Sequence, residues 1–184
     1  MSVNENIYQK YLDGDQDALY DLVENYKNGL VLYLSSIVND FHTAEDLMVD
    51  TFTKLIIKKP RYLGKSGFKT WLYAIGRNVA LDTLRKNKTV DITVEDSEKR
   101  RREERALEKE YLEQERKIIL HNAMRKLPPE YRRVLHLKFF ENFSTAEIAL
   151  ILNKSEHQTG NLIHRAKKSL KSELDKAGFE YEEL

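Results

Sequence analysis

Apolar side chains recur along most of the chain at spacings of three and four residues, the period of an amphipathic helix. Only three prolines and seven glycines interrupt this pattern. Thr43, with Asp46 three residues later, is the predicted start of the third helix, and Pro60 follows its end. The pattern predicts an all-α protein, with helices over residues 4–12, 16–38, 43–58, 68–87, 107–127 and 130–140 and two more within 144–176.

A polar stretch without apolar periodicity divides the predicted helices into two groups. It contains the charged run from Glu98 to Arg105, which is typical of a linker. We therefore expect two small helical domains joined by a polar linker. The N-terminal helical bundle takes residues 1–88, the linker takes 89–106, and the C-terminal domain takes 107–184.

The sharpest local pattern lies near the C-terminus, where two capping boxes follow each other. Ser144 pairs with Glu147 and Ser155 pairs with Gln158, three residues apart in each case, and Asn153 and Lys154 separate the two helices. Two short helices joined by a tight turn are typical of a helix-turn-helix, whose second helix enters the major groove of DNA.

A helical wheel of this second helix separates a buried stripe from a polar surface. The stripe holds Thr159, Ile163, Ala166, Leu170 and Leu174. The residues that we expect to contact DNA are His157, Gln158, Asn161, His164, Arg165 and Lys168. Neutral hydrogen-bonding groups near the start of the helix suit base edges, and the cations further on suit phosphates. An ordinary solvated amphipathic helix is the alternative interpretation.

The helix over 68–87 carries a line of three residues that suits single-stranded DNA. Trp71, Asn78 and Arg85 are spaced seven apart, on one edge of the helix, next to a basic loop that contains Gly64, Ser66 and Gly67. Unpaired bases stack on aromatic rings, amides read them, and cations follow the backbone. The alternative is that Trp71 belongs to the core.

Charge is strongly segregated, although the chain as a whole has a net charge of only +1. Residues 1–53 carry two basic and ten acidic side chains, whereas residues 54–88 carry ten basic side chains and one acidic side chain. Because phosphate neutralisation is local, the basic block favours nucleic-acid binding. The acidic block suits a basic protein partner. Ile57, an apolar residue on the predicted outer face of the third helix, also favours a protein interface there.

The composition excludes several other classes of protein. The chain has no cysteine, which excludes disulfides, a thiol nucleophile and Cys-ligated metal sites. Its five histidines lack metal-ligand spacing, and no phosphate-binding glycine loop or Ser-His-Asp arrangement is visible. We therefore expect no metal, no cofactor and no enzyme activity. Without a signal peptide or a long apolar run, the sequence predicts a cytoplasmic protein that does not insert into membranes.

Three segments resemble the bacterial RNA polymerase sigma factors of the extracytoplasmic-function (ECF) class, which belong to the sigma-70 family. Ala44–Phe52 is similar to the segment that binds core polymerase, and Phe68–Arg85 is similar to the helix that melts the promoter and recognises its −10 element. Leu127–Arg132 and the helix-turn-helix are similar to the domain that reads the −35 element. The resemblance covers well over half of the chain and implies two helical domains.

The resemblance implies a role for each surface. Asp46, Asp50, Thr53 and Ile57 would bind core polymerase, with the two aspartates facing the clamp helices of the β′ subunit, and the β flap would be a second contact. The loop from Arg61 to Gly67 would enclose a base flipped from the opened strand. The −10 contacts would be Arg61, Tyr62, Lys65, Ser66, Lys69, Trp71, Arg77, Asn78 and Arg85. An anti-sigma factor that covers both domains would hold the protein inactive.

The chain departs from the family pattern in its last helix. Gly160 and Leu162 stand where basic DNA contacts are common, and Val49 replaces a polar residue in the polymerase-binding segment. These departures leave two alternatives to a promoter-directing sigma factor. One is a polymerase-binding decoy that no longer reads promoters. The other is a stand-alone helix-turn-helix regulator that binds duplex DNA as a dimer.

Overall fold

The computed structural model describes residues 3–87 and 113–179, and it confirms the all-α prediction: no strand occurs within these two ranges. The predicted linker over 89–106 lies outside the described residues, as does the predicted start of the helix from 107. The helices are α1 Val3–Leu12, α2 Gln16–Val38, α3 Phe41–Lys58, α4 Phe68–Asn87, α5 Glu113–Lys126, α6 Pro129–Leu135, α7 Thr145–Leu152 and α8 Glu156–Lys176.

The start of α3 differs from the sequence prediction. The helix begins at Phe41, and Asp40, in an extended conformation, is its N-cap, so the proposal that the helix is entered through Thr43 was wrong. The carboxylate of Asp40 accepts a hydrogen bond from the Thr43 backbone N–H at 2.8 Å. Asn39, in the left-handed region with φ 59°, ends α2 just before it. Aspartate is a stronger N-cap than threonine, and here it lies next to the end of the preceding helix.

The first four helices form a bundle around α2, which contacts α1, α3 and α4. Its centre is built from fully buried leucines, among them Leu22, Leu30 and Leu55. Gly76 allows the backbone of α4 to approach α2 closely, because a Cβ at this position would lie 3.0 Å from the Leu30 Cδ1 atom. This packing holds α3 and α4 at adjacent positions on the surface of the bundle.

The C-terminal helices contain an irregular turn. The sequence predicts one helix over 130–140, but α6 ends at Leu135 and a π-helical segment, His136–Phe140, follows it. The Glu141 backbone N–H donates to the His136 carbonyl, five residues earlier, at 3.2 Å. Such π segments occur frequently at functional sites. Here the wider turn leads directly into Glu141, a residue that contacts the N-terminal bundle.

The two halves of the described structure pack against each other and share one hydrophobic cluster. Helix α4 packs on α7, and α2 packs on α6. Tyr73 of α4 meets Phe143 edge to face, with ring centroids 5.2 Å apart, and both residues belong to the cluster. None of the described helices combines the length and the apolar character that crossing a membrane requires.

Candidate nucleic-acid interface

The acidic surface of α3 faces outward, as the sequence predicts. Asp46, Asp50, Thr53 and Ile57 are all exposed, and the Ile57 side chain is the most exposed large apolar residue of this helix, at 74%. The opposite side of α3 is anchored in the core by buried residues, among them Leu47, Phe52 and Leu55. The outer face therefore presents two carboxylates, followed about two helical turns further on by an apolar side chain.

The loop between α3 and α4 folds over an aromatic cluster. Trp71 is half-buried, and its ring centroid lies 5.4 Å from that of Tyr8, 5.2 Å from Tyr62 and 5.6 Å from Phe68. The Tyr62 hydroxyl donates a hydrogen bond to the Ser66 carbonyl across the loop. Trp71 thus packs under the loop and is also partly exposed. Its position lies between the two alternatives from the sequence, a core residue and a surface for stacking single-stranded DNA.

The remaining predicted −10 residues differ in exposure. Arg61 and Lys65 in the loop and Asn78 and Arg85 on α4 are exposed, so their side chains lie at the surface. Arg85 forms an ion pair with Asp82, one turn away, at 3.4 Å. Arg77 is half-buried, and its Nε atom is buried without a hydrogen-bond partner. Arg77 therefore contributes less accessible surface than the other cations.

The Lys69 side chain contacts the C-terminal half of the chain, although 36% of it remains exposed. Its ammonium lies 2.8 Å from the Glu141 Oε2 atom and donates to the Glu141 backbone carbonyl at 3.0 Å. The Tyr73 hydroxyl donates to the same carboxylate at 2.8 Å, and the His136 Nε2 atom lies 3.6 Å from Oε1. We call these four residues the Glu141 cluster.

Electrostatics show how strongly this cluster favours the ionised carboxylate. The Glu141 side chain is only 9% exposed, and burial alone would raise its pKa. The contacts with His136, Lys69 and Tyr73 outweigh burial and lower the pKa of Glu141 to about 2. In the same contact, burial and the adjacent carboxylate raise the pKa of Tyr73 far above its ordinary value, so its hydroxyl stays a donor.

A second polar contact crosses the same interface. The Thr70 hydroxyl donates to the Glu147 Oε1 atom at 3.0 Å, while the Oε2 atom of the same residue accepts from the Ser144 backbone N–H at 2.9 Å. Both predicted capping boxes are present, and that of α7 therefore also joins α7 to α4. The sequence predicted Glu147 only as part of the capping box, and it did not indicate a role for Glu141, Tyr73 or Thr70.

The surface of α8 matches most of the predicted helical wheel. The six predicted −35 residues are all exposed: His157, Gln158, Asn161, His164, Arg165 and Lys168. Gln158 also accepts from the Ser155 backbone N–H at 3.0 Å, so its side-chain oxygen is engaged in the cap. Leu162 is only 2% exposed and packs in the core. Its interpretation as a replaced DNA contact was therefore wrong: this position is part of the buried face.

Gly160 differs from Leu162 because nothing in the structure occupies the space next to it. A Cβ at Gly160 would meet no atom within 4 Å, although the residue lies inside α8. No close packing therefore requires a glycine at this position. A side chain there would project beside the exposed residues that we expect to contact DNA.

Taken together, these features define an all-helical DNA-binding protein with a C-terminal helix-turn-helix. Two family models match the chain: Sigma-70 region 2 over residues 22–90 and Sigma-70, region 4 over residues 117–170. The ECF RNA polymerase sigma factor SigM of Bacillus subtilis is 31% identical over 156 residues, which cover 85% of this chain and 93% of SigM. SigW of the same organism is 29% identical over 170 residues, covering 88% and 91% of the two chains.

Solved structures show the same fold. CnrH, determined in complex with the cytosolic domain of CnrY, superposes with a TM-score of 0.68 at 22% identity, and the match covers 95% of this chain and 98% of CnrH. RpoE of Bartonella quintana, determined with the anti-sigma factor NepR, gives 0.62 at 21% identity, covering 84% and 97%. The chain belongs to the ECF RNA polymerase sigma factors, which direct core polymerase to promoters.

We expect a cation at position 160 to add one phosphate contact. Gly160→Lys and Gly160→Ala should both raise the free energy of unfolding, by up to about 1 kcal/mol, because glycine is a poor helix former. Only Gly160→Lys should tighten binding to duplex DNA and steepen the dependence of log Kd on log salt, by about 0.9. Fluorescence anisotropy with a random-sequence duplex, measured between low and moderate salt, gives both quantities.

The alanine variant is the matched control for this measurement, since it changes helix stability without adding charge. Equal salt slopes for the two variants would show that this face of α8 does not approach DNA phosphates.

Proposed function

We propose that three separate surfaces carry the work of this sigma factor. The outer face of α3 binds the clamp helices of the polymerase β′ subunit, the loop over 61–67 with α4 takes up the opened −10 strand, and α8 reads the −35 element. These surfaces belong to a region 2 domain over 1–88 and a region 4 domain over 107–184, joined by a linker over 89–106. The protein acts in the cytoplasm and catalyses no reaction of its own.

The observation that carries the proposal is the composition of the α3 face. Asp46 and Asp50 lie one turn apart and are exposed, with Ile57 nearby in the direction of the C-terminus. A pair of carboxylates on the same helix face as an apolar side chain complements a basic surface that also carries an apolar patch. Within residues 3–87 and 113–179, neither aspartate forms an ion pair with another described side chain.

The loop and α4 support single-strand capture. Trp71 supplies an aromatic ring, Asn78 supplies a donor and an acceptor, and Arg61 and Lys65 supply exposed charge. The region has ten cations and one acid over residues 54–88, so its electrostatic attraction for phosphate is strong. Extruding a base costs a few kcal/mol, and stacking and amide contacts in this region would repay that cost.

On α8, the residues assigned to the −35 element form a polar surface that ends in cations. Asn161 and His164 are one turn apart at the surface, with Arg165 and Lys168 following. Amide and imidazole groups suit base edges, and the cations suit the flanking phosphates. Gly160 lies within this surface, which supports a −35 preference that rests on few direct contacts.

A groove next to α8 suits the second polymerase contact, with the β flap. Phe139, which is 50% exposed, lines it together with Leu170 and Leu174, and Lys167 and Lys171 lie at its edge. The Lys167 ammonium sits 5.7 Å from the centre of the Phe139 ring. An apolar groove with a basic edge suits an apolar segment of a partner that carries acidic residues.

We also assign an anti-sigma factor to a groove between the two halves of the chain. This groove, of about 460 Å³, is lined by exposed Leu32, Phe41 and Phe140 and by the cations Arg125 and Arg132. Burial, followed by the charges of Arg125 and Arg133, lowers the pKa of Arg132. Such a groove suits an amphipathic helix with acidic residues. The structural neighbours CnrH and RpoE were each solved with a protein partner.

Neutralising the α3 face should abolish sigma function at the step of polymerase binding. The double substitution Asp46→Asn with Asp50→Asn should weaken binding to purified bacterial core polymerase by at least about tenfold, because two interfacial charge pairs are lost. Run-off transcription from a library of random promoter-length templates should fall in proportion. Affinity for single-stranded DNA should not fall.

The matched control for this test is Asp17→Asn with Asp21→Asn, two exposed positions on α2 that remove the same charge. Unchanged polymerase affinity in the α3 variant would refute the assignment of this face. If the unmodified chain binds polymerase but yields no specific transcript, the decoy alternative is correct. If it does not bind polymerase, the stand-alone regulator is correct.

An anti-sigma factor that binds in the groove should bind more weakly when an apolar residue of the groove is replaced by an acidic one. A genomic library screened for genes that silence transcription by this chain supplies the partner. Leu32→Glu should then restore transcription in the presence of that partner, because burying a carboxylate in an apolar contact costs several kcal/mol. Tyr20→Glu, on the same helix and 67% exposed, is the control and should remain silenced. Continued silencing of Leu32→Glu would place the partner elsewhere.

A further inference from the structure

The Glu141 cluster uses the hydrogen-bonding capacity of a residue that the sigma function assigns to DNA. The Lys69 ammonium contacts the carboxylate and the carbonyl of Glu141, and it also lies 4.8 Å from the centre of the Phe143 ring. An ammonium has three donors. Two of them are bonded to Glu141 and the Phe143 ring lies against the group, so one donor of Lys69 is left for a phosphate while this pair is intact.

The geometry of the carboxylate resembles the way in which proteins hold a phosphate oxygen. Glu141 is anionic because its pKa is held near 2, and it receives an ammonium and a phenolic hydroxyl at 2.8 Å each. Charge-assisted hydrogen bonds of this length are among the strong ones. The Glu141 carboxylate of the C-terminal half is thus paired with the Lys69 ammonium of the N-terminal half.

Helix α2 contributes a glycine that this contact requires. Gly29 lies inside α2, and a Cβ built there would fall 2.5 Å from the Tyr73 hydroxyl and 2.9 Å from the Glu141 Oε1 atom. A methyl group at this position would therefore have to displace the Tyr73 hydroxyl and the Glu141 carboxylate from their present positions. Glycine inside a helix costs about 1 kcal/mol relative to alanine. The contact with the cluster is a reason for glycine at this position.

We propose that Glu141 is an internal substitute for a promoter phosphate: it occupies Lys69 and closes the C-terminal half over α4 until DNA or polymerase displaces it. The inference rests on the proposed function, because Lys69 is one of the assigned −10 contacts. Removing Glu141 alone would take away the carboxylate that pairs directly with Lys69, whereas an exchange of carboxylate for phosphate keeps Lys69 directly paired. By linkage, closure weakens binding of the opened strand, and binding of that strand weakens closure by the same factor.

Two variants break the cluster in different ways. Glu141→Gln keeps the size of the side chain and removes its negative charge. Gly29→Ala keeps every charge of the cluster and fills the space that the Tyr73 hydroxyl and the Glu141 carboxylate occupy. Both should raise the affinity of the full chain for a random-sequence 12-nucleotide single strand by about tenfold, which corresponds to 1.4 kcal/mol. Glu130→Gln is the matched control for charge, since Glu130 pairs with Lys154 in the C-terminal half at 3.0 Å. It should leave the affinity close to that of the unmodified chain.

A distance measurement tests closure itself. The chain has no cysteine, so Asp21→Cys with Ser172→Cys supplies two specific positions for spin labels, one exposed residue in each half. Pulsed electron resonance should give one short distance for the unmodified chain and a longer, broader distribution for Glu141→Gln and Gly29→Ala. Circular dichroism confirms that each variant remains helical. Unchanged distances in both variants would overturn the proposal.

Lys69→Gln in the Glu141→Gln background separates failure of this inference from failure of the proposed function. If this substitution lowers single-strand affinity while Glu141→Gln alone does not raise it, Lys69 contacts DNA but Glu141 does not compete, and the inference is wrong. If Lys69→Gln changes nothing in the opened chain, the assignment of Lys69 to the −10 strand is wrong, and the inference falls with it.

Discussion

The buried carboxylate of Glu141 determines how the two halves of this protein meet. Taking a charge out of water is costly unless it is paired and hydrogen-bonded, and Lys69, Tyr73 and His136 surround this one. Removing one partner of such a pair typically costs 3–5 kcal/mol, because the other charge stays buried. Since the folded-state pKa is depressed, this contribution is present above the ordinary pKa of 4.5 and is lost as the pH falls toward about 2.

When the two halves are packed together, the proposed functional surfaces differ in their exposure. The acidic face of α3, with Asp46 and Asp50, stays exposed, and so does the reading face of α8. Lys69 on α4, in contrast, is paired with Glu141 of the C-terminal half and is only partly exposed. With the proposed site assignments, a sigma factor in this arrangement binds core polymerase first and receives the opened strand later. Its affinity for DNA then depends, in this proposal, on polymerase separating the two halves.

Local sequence signals predicted most of the fold. Helical periodicity and pairs of residues three or four positions apart predicted the bounds of α2 and α4, the capping boxes of α7 and α8, and the outward face of α3. The family resemblance supplied the roles of these surfaces. Errors arose where neighbouring signals competed: Asp40 is the cap in place of Thr43, and Leu162 is a core residue.

The Glu141 cluster could not be predicted in this way. Its central pair joins residues 72 positions apart, and only the packing of α4 against the C-terminal half brings them together. The π-helical turn that leads into Glu141 also has no simple sequence signature. Gly29, a glycine inside a long helix, was the one visible signal, and its meaning depends on a contact that no local pattern contains.

The most direct test of this account is the ionisation of Glu141 in the free, full-length chain. Carbon-detected NMR of a glutamate-labelled sample, with Glu141→Gln to assign the signal, follows the side-chain carboxyl as the pH is lowered. The account predicts that Glu141 remains ionised at pH 4 and begins to titrate only as the pH approaches its depressed pKa of about 2. A midpoint near 4.5, the ordinary value for glutamate, would show that the carboxylate is solvated and that the two halves are not held together by it.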